Sequence, residues 1–274
     1  MHSIIAAPMR FLRICRYDEA HHTRCRSFNS MSACIRLAHK YQIDSLVEDC
    51  LQWLSKYYPS DYATFKKRNE PLPASCAIAT VNIARLTDAD YLLPMALVDC
   101  LQLGATVVQG YQREDGTREY LAPADLGLCL QAQQKLIEAR VNAIERIVNP
   151  DLYDECGEED VELVMEFHEQ MRNGSILGYC TPVFWTPILP QLTTRFPEIC
   201  RQCRREWAAE ERDQQQDIFA RLPRLVGVTV DGWGKSRSQK NADAKRSATK
   251  VQGGGQGTLR GRGGWRERGR LRGM

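Results

Sequence analysis

Apolar residues recur at three- and four-residue intervals along most of this chain, which is the spacing of amphipathic helices. The pattern is clearest in residues 35–65, where it predicts two short helices joined by a tight corner at residues 42–44. Asp44 or Ser45 is expected to cap the second helix, because Ser45 and Glu48 have the spacing of a capping box. The apolar face of that helix consists of Leu46, Val47, Cys50, Leu51 and Leu54.

Further helices are predicted through the body of the chain. They span residues 74–85, 89–103, 123–148, 161–171 and 197–221. Pro94 falls near the start of the second of these, and Pro123 and Pro197 open the third and the last, because proline suits a first helical turn. The third carries the stripe Leu126, Leu130, Ile137, Val141, Ile144 and Val148. Residues 106–108 suit a brief extended piece without an evident partner strand, so the predicted fold class is mainly α.

The order of residues in three of these segments resembles a known interaction module. The segments are RLAHKYQIDSLVEDCLQWLSKYYP from Arg36, AIATVNIARLTDADYLLPMALVDCL from Ala77, and CRQCRREWAAEERDQQQDIFARLPRLVGV from Cys200. The first is similar to the C-terminal helices of a BTB/POZ domain of the type abundant in basidiomycete fungi. The other two are similar to the helical extension that follows this domain.

The resemblance implies a domain plan and a function. The plan is an irregular segment 1–34, a partial BTB/POZ-like block 35–68, a helical extension 69–230, and a tail 231–274. The implied function is that of a non-enzymatic adaptor that binds other proteins, and complete relatives would form homo-oligomers or recruit cullin-based ubiquitin ligases. The implied interaction residues are Leu37, His39, Lys40, Tyr41, Leu46, Leu51 and Trp53.

A complete BTB/POZ domain has strands and helices before these final helices. The 34 residues before Ile35 show neither strand alternation nor an Asn-Gly or Asp-Gly turn. We therefore expect an N-terminally truncated form of the domain, without the sheet that builds most of the dimer surface.

Composition predicts an intracellular protein of the cytoplasm or nucleus. The 274 residues are 43% hydrophobic, and none of the apolar runs approaches the ~18 residues of a membrane span. The apolar patch at residues 4–9 is short for a secretory signal and contains Pro8. The 11 cysteines are odd in number and irregularly spaced, which favours reduced thiols over a disulfide framework.

The charge is divided between an acidic body and a basic tail. Residues 234–274 hold twelve basic and two acidic residues, which leaves 25 basic and 32 acidic residues before them. The end of the tail is rich in glycine and arginine, a composition that predicts disorder. An alternative function is therefore RNA binding by an RGG-like arm. The competing interpretation of this segment is a basic tail without a specific partner. The arm would use Arg260, Arg262, Trp265, Arg266, Arg268, Arg270 and Arg272.

Candidate chemistry is sparse. Cys200 and Cys203 form a single CxxC pair, and His168 and Cys180 are the only further donors considered for a tetrahedral zinc site. At helical spacing the two cysteines share one face, so buried structural thiols are the competing and preferred interpretation. The segment from Phe167 to Arg172 begins like a zinc-protease helix but lacks the second histidine. We accordingly predict no catalytic residues and no cofactor.

Overall fold

The computed structural model describes residues 27–68, 71–148, 162, 165–166, 169, 181–195, 197, 199–235 and 239. The described residues up to Lys235 belong to one unit, and residue 239 belongs to a second. Everything described below belongs to the first unit. The segment 1–26, most of the predicted helix 161–171, and the tail from residue 240 onward lie outside the described residues.

The described part of the chain is mainly helical, as the sequence predicts. Its first α-helices are α1 (Phe28–Lys40), α2 (Asp44–Leu54), α3 (Tyr62–Lys66), α4 (Cys76–Leu86) and α5 (Leu93–Leu101). Two strands follow, β1 (Tyr111–Gln112) and β2 (Arg118–Glu119), and then α6 (Pro123–Ile147), α7 (Leu189–Arg195) and α8 (Arg201–Val226). Short 3-10 helices occupy Asp90–Leu92 and Gly104–Gln109.

Proline positions predict the helix starts only in part. Pro94 lies in the first turn of α5, and Pro123 is the first residue of α6, as expected. By contrast, α8 begins at Arg201 rather than at Pro197, and it continues beyond the predicted end to Val226. Gly227 ends that helix in the left-handed conformation, with φ 77°.

One hydrophobic core joins α1, α2, α4, α5, α6 and the C-terminal half of α8. At its centre lies α5, in which every residue from Leu93 to Cys100 is buried. A second core lies where the C-terminal end of α6 meets α7 and the start of α8. Ile144, Ile188, Cys203 and Trp207 are among its buried side chains. Residues of both α1 and α2, among them Ile35, Ala38, Leu51 and Leu54, belong to the first core together with residues of the later helices.

The predicted stripe on α6 is partly wrong. Leu130 is 66% exposed, whereas Asp125, Cys129, Ala132 and Leu136 are buried on the side that faces the core. The buried side includes both small residues and charged residues. The charged side chains form hydrogen bonds with other parts of the chain. The spacing of the large apolar residues therefore predicted the wrong side of α6 to be buried at Leu130.

The segment before α6 also differs from expectation. Residues 106–108 lie in a 3-10 helix, and the extended backbone lies further on, in an antiparallel pair that aligns Tyr111 with Glu119. The turn of this hairpin uses Asp115 and Gly116: the Thr117 amide donates to Asp115 Oδ1 (2.9 Å), and Gly116 has φ 82°. Along the described helices, none is long and apolar enough to cross a bilayer.

Candidate protein-interaction surface

The corner between α1 and α2 is closed by backbone hydrogen bonds. The Ile43 amide donates to Ala38 O (2.9 Å), and the Gln42 amide donates to His39 O (3.1 Å). This is the Schellman pattern, in which the residue at the position of Gln42 takes a left-handed conformation. Gln42 has φ 57°, although glycine usually fills such a position. The corner therefore holds a non-glycine residue under backbone strain.

The predicted cap of α2 is wrong. Ile43 occupies the N-cap position of α2 and makes no side-chain cap hydrogen bond, while Asp44 is already the first helical residue. Ile43 takes part in the last backbone hydrogen bonds of α1 and also in the first ones of α2. The Leu46 and Val47 amides both donate to Ile43 O (3.1 Å each). The N-cap position is therefore filled by Ile43, whose apolar side chain cannot accept a hydrogen bond.

Three of the predicted interaction residues lie exposed at this corner. His39, Lys40 and Tyr41 all face solvent, and the ring of Tyr41 is 49% exposed. Lys40 Nζ lies 5.9 Å from the centroid of the Tyr41 ring, within range of a cation–π contact. Together with Gln42, these residues form what we call the corner surface.

The other four predicted residues lie deeper. Leu51 is buried in the core, and Leu37, Leu46 and Trp53 are partly buried. Leu46 and Trp53 pack against the core, and the Trp53 ring centroid is 4.7 Å from that of Tyr57. Because these residues are wholly or partly buried, a partner would touch mainly His39, Lys40 and Tyr41.

A buried carboxylate links the β-hairpin to α1 and α4 through hydrogen bonds. Glu119 is only 8% exposed and accepts hydrogen bonds from Arg36 of α1, Arg113 of the hairpin, and Asn82 of α4 (3.1 Å). Burial lowers the pKa of Arg36 even though the charge of Glu119 opposes this shift. The hydrophobic pattern does not predict this network, although Asp115-Gly116 between two short polar strands is a usable hairpin signal.

A second buried carboxylate lies in α5. Asp99 is 2% exposed, and Gln102 Nε2 donates to its Oδ1 (2.7 Å). Burial raises the pKa of Asp99 to about 6, although the charge of Arg68 and the hydrogen bond from Gln102 act in the opposite direction. Burial, and then the charge of Asp99, also raise the pKa of Tyr58. The first core thus contains an acid that changes charge near physiological pH.

The candidate zinc ligands are only partly described. Cys200 and Cys203 lie at the start of α8, with their Sγ atoms 3.3 Å apart, while His168 and Cys180 fall outside the described residues. Cys200 is the N-cap of α8, so it precedes the helix and does not share a helical face with Cys203. Among the described residues, no group of three or more His, Cys, Asp or Glu side chains gathers as a metal site.

The arginines proposed to bind RNA, Arg260 to Arg272, and Trp265 lie outside the described residues. Searches of family models, curated proteins and solved structures each returned no match to this chain.

Proposed function

We propose that this chain is a non-enzymatic interaction protein, an adaptor of the BTB/POZ type, that binds other polypeptides through the corner surface. The observation that carries the proposal is the exposed Tyr41 beside the strained Gln42, at the centre of the segment that resembles the BTB/POZ helices. Backbone strain persists where the surrounding structure supports it, and such positions cluster at functional sites.

The corner is suited to binding because hydrogen bonds fix its backbone and because its exposed side chains include both an aromatic ring and polar groups. Two backbone hydrogen bonds and the core beneath α1 and α2 fix its shape, so little conformational entropy remains to be lost on association. Tyrosine is enriched at the energetic centres of interfaces, where its ring packs and its hydroxyl forms hydrogen bonds. Lys40 and His39 add polar contacts around the ring.

The buried charged groups support a structural rather than a catalytic role. Asp125 accepts two hydrogen bonds from Arg85 (3.1 and 2.7 Å), and Glu211 Oε1 accepts from the Ile188 amide (2.6 Å). Arg140 donates to the carbonyl oxygens of Phe184 and Thr186. Each of these groups links separate parts of the chain, which is a use of buried charge that stabilises packing.

The test compares proteins captured from native cell extract by the parent chain and by two variants. Tyr41→Ala removes the exposed ring of the corner, where Tyr41 is 49% exposed, and Tyr120→Ala removes the ring of a residue that is 57% exposed and directly follows β2. We expect Y41A to lose a discrete set of captured proteins that Y120A retains, with unchanged helical circular dichroism for both. Retention of the whole set by Y41A would refute the proposal.

A second candidate function is RNA binding by the tail, and the charge division favours it. With twelve basic residues against two acidic ones after residue 233, the tail carries a net charge near +10 on an acidic body. Arginine-rich segments bind phosphates with a strong salt dependence. We expect salt-sensitive binding to single-stranded RNA that is lost when residues 254–274 are deleted. Equal binding by the deleted chain would exclude this function.

A further inference from the structure

Cys200 and Cys203 lie side by side at the beginning of α8. The Cys200 thiol donates to Cys203 Sγ across 3.3 Å, and the Cys203 amide donates to Cys200 Sγ across 3.4 Å. These contacts hold the N-cap sulfur of Cys200 next to the sulfur of Cys203 in the first helical turn. A disulfide needs the sulfurs at about 2.05 Å and Cβ atoms about 4 Å apart, a change that side-chain rotation can supply from this starting point.

The two thiols differ in exposure. Cys200 is partly exposed, whereas Cys203 is fully buried in the second core beside Ile199 and Trp207. An exposed thiol can meet a dissolved oxidant, and the buried thiol 3.3 Å away can then attack the mixed disulfide that forms. This division of roles is the arrangement of an attacking and a resolving cysteine.

A second close pair in the same chain lacks this asymmetry. Cys34 and Cys50 have Sγ atoms 3.6 Å apart, but both are buried between α1 and α2. Their separation is similar, so the difference between the two pairs lies in access to solvent. The Cys34–Cys50 pair is therefore an internal control for reactivity that depends on exposure.

We propose that Cys200 and Cys203 form a redox-active dithiol, which a small disulfide such as oxidised glutathione converts into an intramolecular disulfide. This site is independent of the adaptor function proposed above. It requires no ligand other than the oxidant, and a dithiol reductant reverses the reaction.

The reaction proceeds in two exchanges. The Cys200 thiolate attacks one sulfur of oxidised glutathione, forms a mixed disulfide and releases one glutathione thiolate. The Cys203 thiolate then attacks the Cys200 sulfur, forms the intramolecular disulfide and releases the second glutathione. The protein loses two electrons and two protons. These reduce one molecule of oxidised glutathione to two glutathione thiols.

The test uses the reduced full-length chain with oxidised glutathione, followed by alkylation and tryptic peptide mapping. Trypsin cuts after Arg201, so the disulfide appears as peptide 196–201 linked to peptide 202–204. We expect this linked species to form while the peptides holding Cys34 and Cys50 remain alkylated. Failure of the linked species to form, or equal oxidation of the Cys34–Cys50 pair, would overturn the proposal.

Variants test the order of the two steps. Cys203→Ser should accumulate glutathione on Cys200, because the resolving thiol is gone, and Cys200→Ser should show loss of both the adduct and the disulfide. Cys34→Ser should react like the parent chain. The wild-type mapping needs no substitution and remains decisive if C203S folds poorly. An unmodified Cys200 in folded C203S, or zinc bound stoichiometrically in place of oxidation, contradicts the assignment.

Discussion

Replacing Asp99 with asparagine should stabilise the protein at neutral pH. Asp99 is buried at the centre of the first core, and its pKa rises from 3.8 to about 6 in the folded chain. The folded state therefore binds the proton more tightly than the unfolded state does. Stability contributed by the protonated form is present below about pH 4 and is lost as the pH rises through about 6.

The magnitude follows from the size of the shift. One pKa unit corresponds to about 1.36 kcal/mol, so a rise of about two units destabilises the charged form by roughly 3 kcal/mol above pH 6. Asparagine has nearly the same shape and carries no charge, and its amide oxygen can still accept the hydrogen bond from Gln102. The attraction of Arg68 for the carboxylate is already contained in the net shift.

The assay is urea unfolding of the parent chain and Asp99→Asn at intervals from about pH 4 to about pH 8. We expect the variant to be more stable by up to about 3 kcal/mol at the alkaline end, with the difference vanishing near pH 4. Asp49→Asn makes the same chemical change at an exposed position of α2 and should alter stability by less than about 0.5 kcal/mol throughout. A D99N protein that is no more stable than its parent at neutral pH would refute the reasoning.

Two further substitutions probe strain and buried charge. Gln42→Gly should stabilise the chain by up to about 1 kcal/mol in urea unfolding, because relief of a left-handed backbone outweighs the flexibility that glycine adds; a less stable variant would show that Gln42 is not strained. Arg140→Met should destabilise it by about 3 kcal/mol, because the carbonyl oxygens of Phe184 and Thr186 lose a buried donor. Arg146→Met, on an exposed turn of the same helix, serves as the control, and equal effects of the two would count against a role for the Arg140 contacts.

The sequence predicted the helices well where the local signals were strong. The start of α6 at Pro123 was predicted, and so was the corner at residues 42–44 between α1 and α2, whereas the helix predicted from residue 89 begins as α5 only at Leu93. These features depend on residues close together in the chain, so a local pattern contains the necessary information.

Features that depend on distant residues could not be predicted in the same way. The buried carboxylate of Glu119 accepts hydrogen bonds from Arg36 and Asn82, which lie 83 and 37 residues away in the chain. The buried face of α6 includes Asp125 because Arg85 of α4 reaches it, and hydrophobic periodicity alone assigns such a residue to solvent. Among the predicted interaction residues, the sequence pattern could not separate the exposed Tyr41 from the buried Leu51, since both belong to the same helical segment.

The most direct test of the proposed function is photocrosslinking from the corner surface. Tyr41 is replaced by a photoreactive phenylalanine derivative, and Tyr120 is replaced in the same way in a matched chain, because both rings are exposed. After irradiation in native cell extract, we expect discrete protein adducts from position 41 that position 120 does not give. The same adducts from both positions, or none from position 41, would contradict the proposal that the corner binds a protein partner.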